Sequence, residues 1–142
     1  MAPLQKRAFL SLVLGSILAV ALIVVFIVKG DVTTFDTDLG FRLIVYALWI
    51  AVPLVYLIIV NLTIKKPEQL DERDRLIMER APKIQLFAVI ISLIVWMIVL
   101  TEVYWGAGQL PVVFLTLIFI STLVISTLAQ SLGILIGYWS MR

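Results

Sequence analysis

Four stretches of this 142-residue chain, residues 8–28, 41–64, 84–103 and 111–139, carry almost no charge, and that constrains the fold more than any other feature. An apolar core of about 30 Å is crossed by about 20 helical residues at 1.5 Å each, so every stretch is long enough for one crossing. A backbone in hydrocarbon must satisfy its own hydrogen bonds, which makes helices the expected element for runs of this length. The predicted fold is all-α: a polytopic, four-transmembrane-helix antiparallel bundle forming a single integral membrane domain. With 63% hydrophobic and 14% charged residues, the composition is far from the roughly 25% charge of soluble domains. The fourth stretch exceeds a perpendicular crossing, so it either tilts or extends past the hydrocarbon. Ala19, Val20 and Ala21 supply a small-x-small pattern of the kind signal peptidases cut. The length of the first run favours an uncleaved span.

The basic residues set the expected orientation. Four crossings return the chain to its starting side, and nine of the eleven Lys and Arg residues fall on that side: Lys6, Arg7, Lys65, Lys66, Arg73, Arg75, Arg80, Lys83 and Arg142. Lys29 and Arg42 fall on the other. The positive-inside rule then places both termini and the central loop in the cytoplasm, with a prokaryotic cytoplasmic membrane as the expected location. Tyr104 and Trp105 mark the outer interface, Tyr138 and Trp139 the inner one, and Trp49 and Trp96 lie deeper. Basic residues flanking spans serve topology, so no nucleic-acid partner is expected.

The chain has no Cys and no His, which removes thiol chemistry, thiolate or imidazole zinc sites and histidine-ligated haem from its repertoire. No catalytic, cofactor or metal residues are predicted, and the chain reads as non-enzymatic. Glu102 is the one acidic residue within a predicted span, at its outer end. Proton-coupled transport normally needs a titratable group near the midplane and is disfavoured. Asp31, Asp36 and Asp38 before Gly40 lack the fuller ligand series of a calcium loop and read as solvated carboxylates. Pro53 should kink the second span by freeing the carbonyl of Trp49; packing geometry is the first reading and a hinge the second.

Small residues one turn apart let membrane helices approach closely. Ser11, Gly15 and Ala19 form such a stripe in the first span, Ala47 and Ala51 in the second, Ala88 and Ser92 in the third. The fourth is richest: Ala129, Gly133 and Gly137 make a ridge, with Ser121, Thr122, Ser126, Thr127, Gln130 and Ser131 adding polar groups. Ordinary packing is the expected role, at the bundle centre or in a homo-oligomer, and a substrate path the lesser one. Gln130 is expected to hydrogen-bond within the bundle.

The connection 65–83 is the most individual segment, with six basic and five acidic residues in nineteen positions. Pro67 suits a helix start, Glu68 its first turn, and Asp71 with Arg75, and Arg75 with Glu79, have pairing spacing. Leu70, Ile77 and Ala81 share a face of a short amphipathic helix, and Pro82 should interrupt or bend it. Salt bridges within the loop and recognition of another molecule both explain the charge. The string Asp71-Glu72-Arg73-Asp74-Arg75-Leu76-Ile77-Met78-Glu79-Arg80-Ala81 resembles the central-loop motif of uncharacterised small prokaryotic membrane proteins, in which a DER-type sequence joins two pairs of apolar helices. The resemblance implies a functional loop and names no activity.

The expected function is an accessory or regulatory subunit that engages a cytoplasmic protein through Asp71, Glu72, Arg73, Asp74, Arg75, Ile77 and Arg80, on its own or within a larger membrane complex. The alternative is a small oligomeric channel or transporter whose path follows Ser126, Thr127, Ala129, Gln130, Gly133 and Gly137.

Overall fold

The computed structural model describes residues 2–63 and 72–141. Among these residues five helices follow one another: α1 (Pro3–Lys29), α2 (Val32–Thr37), α3 (Leu39–Thr63), α4 (Glu72–Tyr104) and α5 (Val113–Ser140). Among the described residues there is no strand. Four of the helices, all but α2, are long and apolar enough to cross a membrane. Large hydrophobic side chains such as Ile27, Leu57, Phe87, Met97 and Leu115 are exposed along all four, the surface expected of helices whose solvent is lipid.

Local chemistry explains the helix ends. Pro3 occupies the first turn of α1, where its missing N–H would have no partner in any case. Gly30 stops α1 with a φ of +123°, donating its N–H to the Phe26 carbonyl, and a Cβ there would lie 2.8 Å from Thr34 Oγ1. Asp31 then caps α2: its carboxylate accepts from the backbone N–H groups and the hydroxyls of both Thr33 and Thr34. The segment expected as solvated acidic loop is thus a helical turn whose apolar residue, Phe35, is buried. Phe35 stacks on Phe26 at 5.8 Å between centroids and meets Phe41 edge-on at 5.3 Å. With Val45, Val113 and Ile120 these rings form one of two buried clusters. It closes the end of the molecule that carries α2, here termed the loop end.

The second cluster lies at the terminal end and gathers Ala8, Ile77, Ala81, Ile134 and Tyr138 from α1, α4 and α5. Its composition shows the main departure from the sequence expectation. The charged segment and the third span are one helix of 33 residues that passes through Pro82. Proline removes the bond to the Met78 carbonyl, but Ile77, Ala81 and Ile84 on either side of it pack on α5. Those contacts hold the turn that proline weakens. The N-terminal part of the expected loop helix, with Lys65, Lys66, Pro67, Glu68, Leu70 and Asp71, lies outside the described residues.

Candidate functional site

The face between α4 and α5 gathers most of the residues that chemistry singles out. At its terminal end the glycines of α5 admit α4 to backbone contact. A Cβ on Gly137 would stand 3.1 Å from both Ile77 Cγ1 and Cγ2, and one on Gly133 would stand 3.4 Å from the Ala81 Cα and 3.2 Å from Ile84 Cδ1. Ala129, one turn earlier, is half-buried. Side chains spaced i, i+4 and i+7 on α4 therefore seat on residues spaced by four on α5, the close approach that small residues permit.

Polar groups secure the same contact at the helix ends. The Tyr138 hydroxyl donates to Asp74 Oδ1. Arg73 Nη2 donates to the Tyr138 backbone carbonyl at 2.9 Å, and its guanidinium lies 5.6 Å from the centre of the Tyr138 ring. That carbonyl is in the last turn of α5, where carbonyls have no helical partner and cations are favoured. Asp74, 9% exposed, is in the first turn of α4, where a carboxylate is favoured by the helix dipole. One Tyr thus receives a cation at its carbonyl and a carboxylate at its hydroxyl from adjacent residues of the partner helix.

Farther from the termini, two more bonds cross the seam. Gln85 Nε2 donates to Ser126 Oγ at 2.6 Å, and Trp96 Nε1 donates to Ser121 Oγ at 2.8 Å. Ser121 passes its own proton to the Ile118 carbonyl. Ser131 and Thr127 donate to carbonyls four residues back, those of Thr127 and Leu123. The paired residues run in opposite order along the two helices: 74 with 138, 77 with 137, 81 with 133, 85 with 126 and 96 with 121.

The two sets of residues singled out in the sequence, one in the charged segment and one in the last helix, are therefore largely opposite sides of one interface. Arg73, Asp74 and Ile77 meet Gly133, Gly137 and Tyr138. Arg75, Glu79 and Arg80 are exposed on the other face of α4, with Leu76 and Met78 among them. Glu72 is exposed in the first turn of α4. Gln130 is exposed, in contrast to the expected bond within the bundle. Asp71 lies outside the described residues. Gln85 and Tyr138 were not among the predicted site residues. Gln85 is a lone amide at the second position of the apolar run 84–103, a signal present in the sequence, whereas the sequence pattern presents Tyr138 as an interfacial anchor.

At the loop end, Asp31 is held below the ordinary carboxylate range, first by the Thr33 hydroxyl and then by the Thr34 backbone N–H. Its charge belongs to the cap of α2. Compared with protein-family models, curated proteins and solved structures, the chain gives no match.

Proposed function

We propose that the chain is an integral membrane protein, an antiparallel bundle of four spanning helices with both termini and the start of α4 in the cytoplasm, and that it acts as a non-enzymatic accessory or regulatory subunit. Its recognition element is the outer face of the α4 extension, where Arg75, Glu79 and Arg80 stand beside Leu76 and Met78. The observation that carries this reading is that the inner face of the same segment is already fixed to α5 through Ile77, Ala81, Asp74 and Arg73. A helix of 33 residues is about 50 Å long and a bilayer core about 30 Å, so some 20 Å of α4 stands outside the hydrocarbon. A charged surface held in place by its own protein loses little freedom when a partner binds, which favours affinity.

The test is site-specific photocrosslinking in native membranes from positions 75, 79 and 80, with the lipid-facing position Val95 as control. One recurrent protein adduct from the three extension positions, lost in the R75E/R80E variant while thermal unfolding is unchanged, supports the proposal. Adducts that ignore the charge reversal, or that form equally from position 95, refute it. Arg73 is a poor choice for this test, because its charge also caps α5.

A further inference from the structure

Among the cavities between the described helices, two differ in how their polar groups are satisfied. The larger, about 550 Å³, runs between α1, α4 and α5. Its polar lining residues already have partners: Trp96 is bonded to Ser121, and Asp31 to Thr33 and Thr34. Lipid chains fill such a space without recognition. The smaller, about 300 Å³, lies between α1, α3 and α5 beside Pro53, and Ser11, Trp49 and Tyr56 line it. Among the described residues, neither hydroxyl nor the indole N–H has a hydrogen-bond partner.

That lack has a measure within the same protein. Ser16, Thr127 and Ser131 each turn their hydroxyl back onto a carbonyl of their own helix, the usual refuge of a hydroxyl in a membrane helix. Ser11, on the cavity wall, does not. Trp49 is two residues from the middle of α3, while Ser11 and Tyr56 are each five residues, about 8 Å, from the middle of their helices. All three fall inside a half-core of about 15 Å, where an unmatched donor is costly because water is absent. No charged side chain among the described residues lines the cavity.

We infer that this cavity binds a neutral, membrane-soluble molecule that carries carbonyl oxygens on an apolar body, with Ser11, Tyr56 and Trp49 as the donors. The cavity is at the small end of the range for ligand pockets, so it takes a head group and leaves any tail in the bilayer. Carbonyl acceptors have two sources in a membrane, a free molecule such as a quinone or the ester groups of the phospholipids themselves.

The experiment titrates an alkyl-substituted 1,4-benzoquinone into the full chain reconstituted in nanodiscs of ester-linked phospholipid and, in parallel, of ether-linked phospholipid. Retention is read by native mass spectrometry and binding by the shift in melting temperature. Saturable binding is expected, weakened about tenfold by Ser11→Ala and by Tyr56→Phe, the loss of one hydrogen bond each. It is abolished by Val52→Phe, which fills the space. Ligand-free melting should be unchanged or raised in Ser11→Ala and Tyr56→Phe, since each deletes a group with no internal partner. Equal affinity in the two discs assigns the site to a free carbonyl compound, and weaker apparent affinity in ester discs assigns it to lipid esters competing for the same donors. No saturable binding in either disc, or binding indifferent to Ser11→Ala and Tyr56→Phe, overturns the inference.

Discussion

The two sides of α5 are built on different principles. Toward α4 it presents glycines, serines and a tyrosine, and α4 answers with matching apolar knobs and donors, so the contact is stitched from residue 74 to residue 96. Toward α1 and α3 it presents mostly apolar side chains. There Gly15 takes Leu128 to 3.0 Å from the position of a Cβ, Trp49 meets Phe119 edge-on at 5.7 Å, and a cavity remains beside Pro53. The difference teaches that apolar matching alone does not fix a partner in lipid. Tails are as apolar as leucine, so uniqueness comes from close backbone approach and from hydrogen bonds. One side of the molecule has both, and the other has room.

Breaking the stitched side should give the larger effects. Gly137→Leu drives a side chain into Ile77 and should destabilise the fold by about 3 kcal/mol, the upper part of the usual range for overpacking; thermal unfolding in detergent would measure it, and an unchanged midpoint would refute the close contact. Tyr138→Phe leaves the buried Asp74 carboxylate without its phenol donor and should cost about 2 kcal/mol. Hydrogen exchange would locate that loss in the first turns of α4, and a double-mutant cycle with Asp74→Asn should show the two changes to be non-additive. Trp96→Phe removes one bond at mid-seam and should cost only about 0.6 kcal/mol, the average for such pairs in membranes.

The looser side should respond less. Pro53→Ala gives the Trp49 carbonyl an N–H donor within its own helix and removes ring atoms from the cavity wall, and should leave stability within about 1 kcal/mol while widening the cavity, read as weaker binding of the quinone probe. The smallest effect is expected at Asp31. Its folded-state pKa is lowered, so its contribution to the α2 cap is complete above the unfolded value and is lost as pH falls through the lowered folded one. Protection of the Thr33 and Thr34 amides, taken relative to their intrinsic exchange rate at each pH, should therefore hold steady down to the ordinary Asp value of 3.8 and fall only below it. Loss of that protection already at higher pH would contradict the cap.

How much of this was legible in the sequence depended on the range of the cause. The four long helices were plain because length and the absence of charge are local properties that lipid alone makes decisive. The ridge of Ala129, Gly133 and Gly137 was visible as a spacing. Its counterpart was not, since nothing near Gly137 in the chain indicates that Ile77, sixty residues earlier, will sit on it. Pro82 signals an interruption or a bend because proline chemistry is local, whereas the packing that carries α4 through it without interruption is not. The same holds for α2: the Asp31 cap and its two threonines were in the sequence, but a turn of six residues persists only because Phe35 finds Phe26 and Phe41. The small cavity draws on three helices: Ser11, Gly15 and Pro53 stood out one helix at a time, but nothing in the chain indicated that α1, α3 and α5 would bring them together.

The continuity of α4 has a mechanical consequence. In a bilayer, the helix would be strapped to α5 at Gly133 and Gly137, with Pro82 beside the strap. Spanning helices adjust their tilt to the thickness of the surrounding lipid. The overhang does not swing alone, because Arg73, Asp74, Ile77 and Ala81 hold it to the end of α5, so a change of tilt would carry both helices together. Arg75 and Arg80, exposed on the outer side of that segment, would then keep their position relative to α5 whatever the thickness of the bilayer.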